Sequence, residues 1–168
     1  LEKPTPVGAG LGGGSADAAF ALRMIAELAG EDLPDTELAA LAARLGSDCA
    51  LFVYNRPMFG TGRGEILEPF DIDLSGYRVD VLVPEGISVS TADAYRGITP
   101  HQPVRALRDV LSRPIPEWKD LLVNDFEETV FAKYPALAAL KQSLYDQGAV
   151  YAAMSGSGSA LFSLTPLP

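Results

Sequence analysis

The stretch PVGAGLGGGSADAA, residues 6–19, decides the fold, because a glycine-rich turn runs directly into an alanine-rich helix. Five of the seven positions from Gly8 to Gly14 are glycine. Glycine permits positive φ and carries no Cβ, so successive backbone N–H groups can converge on an anion. The helix that follows adds unpaired N–H groups and the positive end of its dipole, which also favour phosphate. The stretch therefore predicts a phosphate-binding loop.

Three other interpretations of the glycine tract are weaker. Gly14 stands where a Walker A loop has its lysine, which excludes that motif. Residues 8–13 satisfy G-x-G-x-x-G, but a dinucleotide-binding fold needs a strand with an acidic end after the helix, and a second helix is predicted there. A flexible linker stays open as an alternative, although ordering so many glycines is entropically costly unless the exposed backbone is used.

The remaining pattern predicts an α+β protein with a domain boundary near Gly76, where a polar, turn-forming segment follows a strand pair. Ser15 is predicted to cap the first helix, with Asp17 in its first turn and Gly30 just beyond its end. Further helices are predicted at 35–45, 91–95, 104–112, 117–123, 125–133 and 136–146. Strands are predicted at both ends of 58–70 and at 77–83, 149–154 and 160–164, while residues 49–54 fit either a strand or a short helix. The apolar side chains predicted to be buried in the second helix are Leu38, Leu41, Ala42 and Leu45.

Composition limits the classes of function. The formal net charge is −9 and the 13 basic residues are scattered, so no surface for nucleic acid or an anionic membrane is expected. The single cysteine, Cys49, excludes an intramolecular disulfide and a cysteine-rich metal site, and it is predicted to be a small buried hydrophobe. Apolar runs are too short for a membrane span. These features favour a cytoplasmic enzyme with a small-molecule substrate.

Four segments together resemble the GHMP kinase superfamily: PVGAGLGGGS (6–15), LGSDCALFVY (45–54), GTGRGEILEP (60–69) and MSGSGSALF (154–162). The resemblance implies a two-domain α+β architecture, with residues 1–76 as the later part of the ATP-binding domain and 77–168 as the antiparallel-sheet C-terminal domain. Within that group GLGGGS (10–15), with two glycines after GLG, resembles the branch that phosphorylates a cytidine-diphosphate-linked methylerythritol in the non-mevalonate isoprenoid route. Homoserine-type or mevalonate-type kinases, or a non-catalytic phosphate-binding module, are the alternatives.

The resemblance implies a nucleotide site on the glycine loop, with ATP and Mg²⁺ as cofactors and no assignable metal ligands. Lys3 resembles a family lysine near the nucleotide, with a solvated surface lysine as the alternative. Ser15 could orient a phosphate or the metal. The residues expected to bind the nucleotide are Pro6, Val7, Gly8, Ala9, Gly10, Leu11, Gly12, Gly13, Gly14, Ser15, Ala16 and Lys3.

The resemblance also assigns roles outside the loop. Asp48, in LGSD, is implied to accept the proton of the attacking hydroxyl, whereas sequence alone favours a helix cap. Thr91 resembles a position near the acceptor substrate, again with capping as the alternative. The turn Ser155–Ser159 resembles a third family motif that folds back beside the phosphate loop. Asn124, in NDFE, is predicted to be a cap.

The chain begins at Leu1 rather than methionine, and we expect it to be a fragment. The resemblance places a catalytic lysine and the cytidine-binding side chains upstream of it, so the 168 residues alone are expected to be inactive. Among the conspicuous side chains, His101 is predicted to lie in a loop. Tyr95, Trp118, Tyr134 and Tyr151 are predicted to be core residues rather than base-stacking platforms.

Overall fold

The computed structural model describes residues 6–168, which fall into two compact units. One unit is Gly12–Asp73, and the other combines residues 6–11 with Leu74–Pro168. Lys3 lies outside the described residues. Both units mix helices with antiparallel strands, which confirms the α+β prediction. The assignment of residues 1–76 and 77–168 to two family domains stays a prediction.

The unit Gly12–Asp73 contains three helices and a strand pair. The helices are α1 (Gly13–Leu28), α2 (Asp35–Ala43) and α3 (Cys49–Tyr54), and the strands are β1 (Met58–Thr61) and β2 (Ile66–Pro69). The strands pair antiparallel across the glycine-containing turn, as predicted. The apolar run at 49–54 is a helix rather than a strand, and its Cys49 is buried as expected.

The core of this unit lies where α1 and α2 pack against α3. It is small and rich in alanine. Its buried residues are Ala19, Ala26, Leu38, Ala39, Ala42, Cys49, Ala50 and Val53. The prediction of burial is correct for Leu38 and Ala42 and wrong for Leu41 and Leu45, which are exposed. Leu45 lies beyond the last residue of α2, so helical periodicity no longer sets its direction.

Helix α1 begins three residues earlier than predicted. Gly12 is the N-cap in a left-handed conformation, with φ 67°, and Gly13 is the first helical residue. Ser15 therefore lies inside the first turn and caps nothing, and Asp17 falls beyond that turn. The left-handed glycine ends the loop before a side-chain cap is needed. The C-terminal end agrees with expectation, because Gly30 follows with φ 75°.

The second unit is built on a three-stranded antiparallel sheet. Its strands β3 (Tyr77–Leu82), β4 (Tyr151–Met154) and β5 (Leu161–Pro166) lie in the order β3-β5-β4. Its helices are α4 (Thr91–Gly97), α5 (Leu107–Leu111), α6 (Phe126–Lys133) and α7 (Pro135–Asp146), with a 3₁₀ helix at Ile115–Asp120. The predicted elements are thus present, although α5 is shorter than expected and residues 117–123 are not α-helical.

Aromatic side chains separate into buried and exposed groups. Trp118 of the 3₁₀ helix and Tyr151 of β4 are buried and meet edge to face, as predicted for core residues. Burial raises the pKa of the Tyr151 phenol, whose hydroxyl donates to the Leu122 carbonyl. The prediction that Tyr95 is a core residue is wrong, because this side chain is 65% exposed, with its ring edge to face with Phe126. The short helix α4 buries only Ala94, so Tyr95 points elsewhere.

A buried ion pair ties α6 to its neighbours. Glu127 is only 7% exposed. One carboxylate oxygen accepts from the Met154 backbone N–H at 2.7 Å, and the other accepts from Lys141 Nζ at 2.5 Å. Because the carboxylate is removed from water, these two partners replace its hydration.

Replacing Glu127 with alanine is expected to lower the free energy of unfolding by about 3 kcal/mol, because it leaves a partly buried ammonium and a backbone N–H without their acceptor. Asp35→Ala is the control, since it removes an exposed ion pair with Arg23 that is worth at most about 1 kcal/mol. Urea denaturation measures both. Equal losses in the two variants would contradict the structural role assigned to Glu127.

Candidate functional site

Hydrogen bonds to its carbonyls anchor the first half of the glycine tract. The Ala9 carbonyl accepts from the Ala160 N–H at 2.9 Å, and the Gly10 carbonyl accepts from Ser155 Oγ at 2.8 Å. In a planar trans peptide the C=O of one residue and the N–H of the next point in opposite directions. The N–H groups of Gly10 and Leu11 therefore point away from the turn that holds the carbonyls.

Gly10 is the position in this segment that needs to be glycine. Its φ is +77°, and an added Cβ would overlap the Ser155 carbonyl oxygen and lie 2.9 Å from that of Gly158. The turn Ser155–Ser159 is thus in direct contact with the loop. By contrast, Gly8 also has positive φ, but a Cβ added there would meet nothing within 4 Å. The contact with the turn, not the glycine content alone, fixes the loop.

The second half of the tract opens α1. Gly12 has φ +67°, and an added Cβ would lie 2.6 Å from Cζ of Phe52 on α3. Its carbonyl accepts from the Ala16 N–H, which starts the helical hydrogen bonding. Within residues 6–168, the backbone N–H groups from Gly10 to Ser15 have no hydrogen-bond acceptor. Unpaired donors at a helix start are suited to an anion.

Asp48 precedes α3 in the same unit as α1. It occupies the N-cap position, but its side chain makes no capping hydrogen bond, so the capping interpretation is wrong. Its carboxylate is exposed and accepts from the Ser47 hydroxyl at 3.3 Å. Residues four apart share a helix face, so Asp48 lies on the side of α3 that carries Phe52, whose ring approaches Gly12.

The turn between β1 and β2 lies beside Asp48. A Cβ on Gly64 would be 3.5 Å from Asp48 Oδ1. In this turn the pKa of Glu65 is lowered by hydrogen bonds from its own backbone N–H and from that of Arg63. Glu65 is therefore a second charged carboxylate. It follows Gly64 in the chain and lies two residues from the cationic Arg63.

Thr91 is the first residue of α4, and Ser90, not Thr91, caps that helix by accepting from the Asp93 N–H. The Thr91 hydroxyl lies 3.2 Å from that of Ser157, in the same turn that holds Gly10. The Thr91 side chain is thus left for contacts other than capping. Asn124 lies one residue before Asp125, the N-cap residue of α6, whose own side chain makes no cap hydrogen bond. Asn124 Oδ1 accepts from the first helical N–H, that of Phe126, at 3.0 Å, which is the capping interaction expected of it.

Sequence reasoning missed three hydrogen-bonding groups in this region. The turn Ser155–Ser159 lies against the glycine loop, as the resemblance implies, but the particular bond from Ser155 Oγ to the Gly10 carbonyl joins positions far apart in sequence and no local pattern reports it. Glu127 and the donors of Asn124 also went unrecognised, although the NDFE motif was a signal. His101 lies in an exposed loop, as predicted.

Two broader features bear on cofactors and location. The residues that the structure describes contain no group of three or more potential metal-ligating His, Cys, Asp or Glu side chains. Nor does any helix within 6–168 have the length and apolar character needed to cross a bilayer.

Comparisons with known proteins agree with the motifs. The sequence profile of the GHMP kinases N terminal domain matches residues 1–56, and that of the GHMP kinases C terminal domain matches residues 105–167. A relative from Bacteroides fragilis named 4-diphosphocytidyl-2-C-methyl-D-erythritol kinase is 50% identical over 98% of this chain and 60% of its own length. One of the same name from Parabacteroides distasonis is 46% identical over 100% of this chain and 62% of its own.

A solved structure is similar over the same extent. It is titled a crystal structure of 4-(cytidine 5'-diphospho)-2C-methyl-D-erythritol kinase, with a TM-score of 0.80 and 33% sequence identity. The match covers 98% of this chain and 60% of that chain. The present chain therefore spans about 60% of the length of the relatives it matches.

Proposed function

Because the chain belongs to the GHMP kinase family, we propose that it carries the phosphate-binding loop and the proton-accepting aspartate of an ATP-dependent kinase. The acceptor is the 2-hydroxyl of 4-diphosphocytidyl-2-C-methyl-D-erythritol, in non-mevalonate isoprenoid biosynthesis. The names of the relatives support this substrate. The single observation that carries the kinase proposal is the outward direction of the Gly10 and Leu11 N–H groups from a loop anchored by its carbonyls.

The loop would hold the ATP phosphates through its backbone. Gly10 and Leu11 direct N–H groups away from the turn Ser155–Ser159, and Gly13 to Ser15 add the unpaired donors of the helix start. Phosphoryl transfer relies mainly on positioning and on neutralising charge, so preformed donors are a suitable device. Pro6 to Ala16 and Lys3 remain the proposed nucleotide-binding residues.

Asp48 would align the acceptor hydroxyl and take its proton. An alcohol is a weak nucleophile, and a positioned carboxylate raises its reactivity as the bond to the γ-phosphate forms. Its exposed side chain, which caps nothing, supports this role because a carboxylate committed to a cap would not be free to approach a hydroxyl. Thr91, whose side chain is not a cap, would contact the acceptor substrate.

Mg²⁺ would supply charge neutralisation on the phosphate oxygens when ATP is bound. In kinases Mg²⁺ is commonly held by one or two carboxylates together with the substrate phosphates. Ser15 is the residue of the loop whose hydroxyl could hold the metal or a phosphate. We place the enzyme in the cytoplasm, where ATP is available.

The test uses the complete gene product that contains these residues. With Mg·ATP and the cytidine-diphosphate-linked methylerythritol, we expect ADP release and a phosphate on the 2-hydroxyl, detected by ³¹P NMR. Turnover of homoserine or mevalonate in its place would assign the chain to another branch. ATP binding without ADP release from any acceptor would indicate a non-catalytic module.

A further inference from the structure

Residues 124–127, which we call the NDFE bracket, make hydrogen bonds to the backbone at the end of β4. Asn124 Nδ2 donates to the carbonyl oxygens of Met154 and Gly156, each at 2.8 Å. Glu127 accepts from the Met154 N–H at 2.7 Å. The Glu127 N–H donates to the Asn124 carbonyl, so a single turn of the backbone brings the two side chains together. Both backbone polar groups of Met154 are thus bound by one short segment.

Asn124 uses both ends of its amide. The two donated bonds hold the turn, and Oδ1 accepts from the Phe126 N–H at the start of α6. A carboxylate of the same shape could keep the acceptor role but could not donate. A substitution can therefore remove the two hydrogen bonds to the turn while keeping the bond to the Phe126 N–H at the start of α6.

The turn Ser155–Ser159, to which Asn124 donates, is the turn that contacts the glycine loop. Ser155, between the two carbonyls that Asn124 binds, donates to the Gly10 carbonyl at 2.8 Å. Gly156 also approaches closely, since a Cβ at this position would lie 3.3 Å from the same carbonyl oxygen. The direction of the Gly10 carbonyl, and with it the opposite direction of the Leu11 N–H, thus depends on the curvature of residues 154–156.

We propose that Asn124 is a positioning residue for ATP: by bending residues 154–156 it aims Ser155 at the Gly10 carbonyl and so presents the loop N–H groups to the phosphates. The inference rests on the proposed function, because it gives Asn124 its effect through nucleotide binding. It assigns to the NDFE bracket a role beyond helix capping and core formation.

The test is Asn124→Asp in the complete gene product. The KM for ATP is expected to rise about ten- to thirtyfold, because both donated bonds are lost and a negative charge faces two carbonyls, while kcat falls less than about threefold. Val130→Ala is the matched control. Val130 is buried in the same helix α6, and its apolar side chain cannot hydrogen-bond to the turn. That variant should lower Tm and leave the KM for ATP unchanged.

Ser155→Ala supplies a second, independent readout. It should raise the KM for ATP in the same direction, and adding it to Asn124→Asp should cause little further change, because both act through one contact. A wild-type protein without kinase activity would refute the proposed function. An active wild type with an unchanged KM for ATP in Asn124→Asp would overturn the positioning role. Should that variant fail to fold, an unchanged KM in Ser155→Ala would overturn it as well.

Discussion

Asp48→Asn is expected to reduce turnover of the complete gene product by about 10²–10⁴-fold, because the amide cannot take the proton of the acceptor hydroxyl. ATP binding should stay within about twofold of wild type, because the amide keeps the size of the side chain. Stability should be unaffected, since the carboxylate is exposed and caps no helix. Single-turnover kinetics measure the chemical step, and titration with a nonhydrolysable ATP analogue measures binding.

Asp32→Asn is the control for this experiment. Asp32 is an exposed carboxylate in the segment between α1 and α2, and it undergoes the same chemical change. Its turnover should match that of wild type. If Asp48→Asn retains most of its turnover, the proton-accepting role is wrong and the hydroxyl must lose its proton to another group. A parallel loss of ATP binding would instead place Asp48 at the nucleotide.

Gly10→Ala is expected to lower the free energy of unfolding by about 4 kcal/mol and to raise the KM for ATP by more than about a hundredfold. A side chain at φ +77° costs about 1–2 kcal/mol, and its Cβ would overlap the Ser155 carbonyl oxygen. The atoms nearest the added Cβ are all backbone atoms, so no flexible side chain can move aside. The overlap can be relieved only if the loop or the turn itself moves. Urea denaturation and steady-state kinetics measure the two effects.

Gly14→Ala is the matched control for stability. Gly14 lies in α1, and a Cβ added there meets nothing within 4 Å. Alanine is favoured over glycine inside a helix by up to about 1 kcal/mol, so this variant should be as stable as wild type or more stable. Equal destabilisation by the two substitutions would contradict the claim that contact with residues 155 and 158 is what requires glycine at position 10.

Local pattern predicts the elements well and their burial less well. The glycine tract, the helix that follows it and the antiparallel sheet are predictable from residue type and period, because these report backbone conformation over a few residues. Leu45 and Tyr95 are predicted to be core residues and are exposed. Whether an apolar side chain is covered depends on which other element packs over it, and that information is spread over the whole chain.

The sequence by itself determined the family and the loop proposed for phosphate, since the glycines between Gly8 and Gly14 permit a backbone that no other residue type allows so freely. Only the tertiary structure decided how that backbone is held. Ser155 is joined to Gly10 across most of the chain, and Asn124 shapes the turn that contains Ser155. Each of these bonds needs two distant segments to be brought within about 3 Å by packing. The resemblance of residues 155–159 to a family motif implies that this turn lies beside the loop, but it does not say which atoms bond.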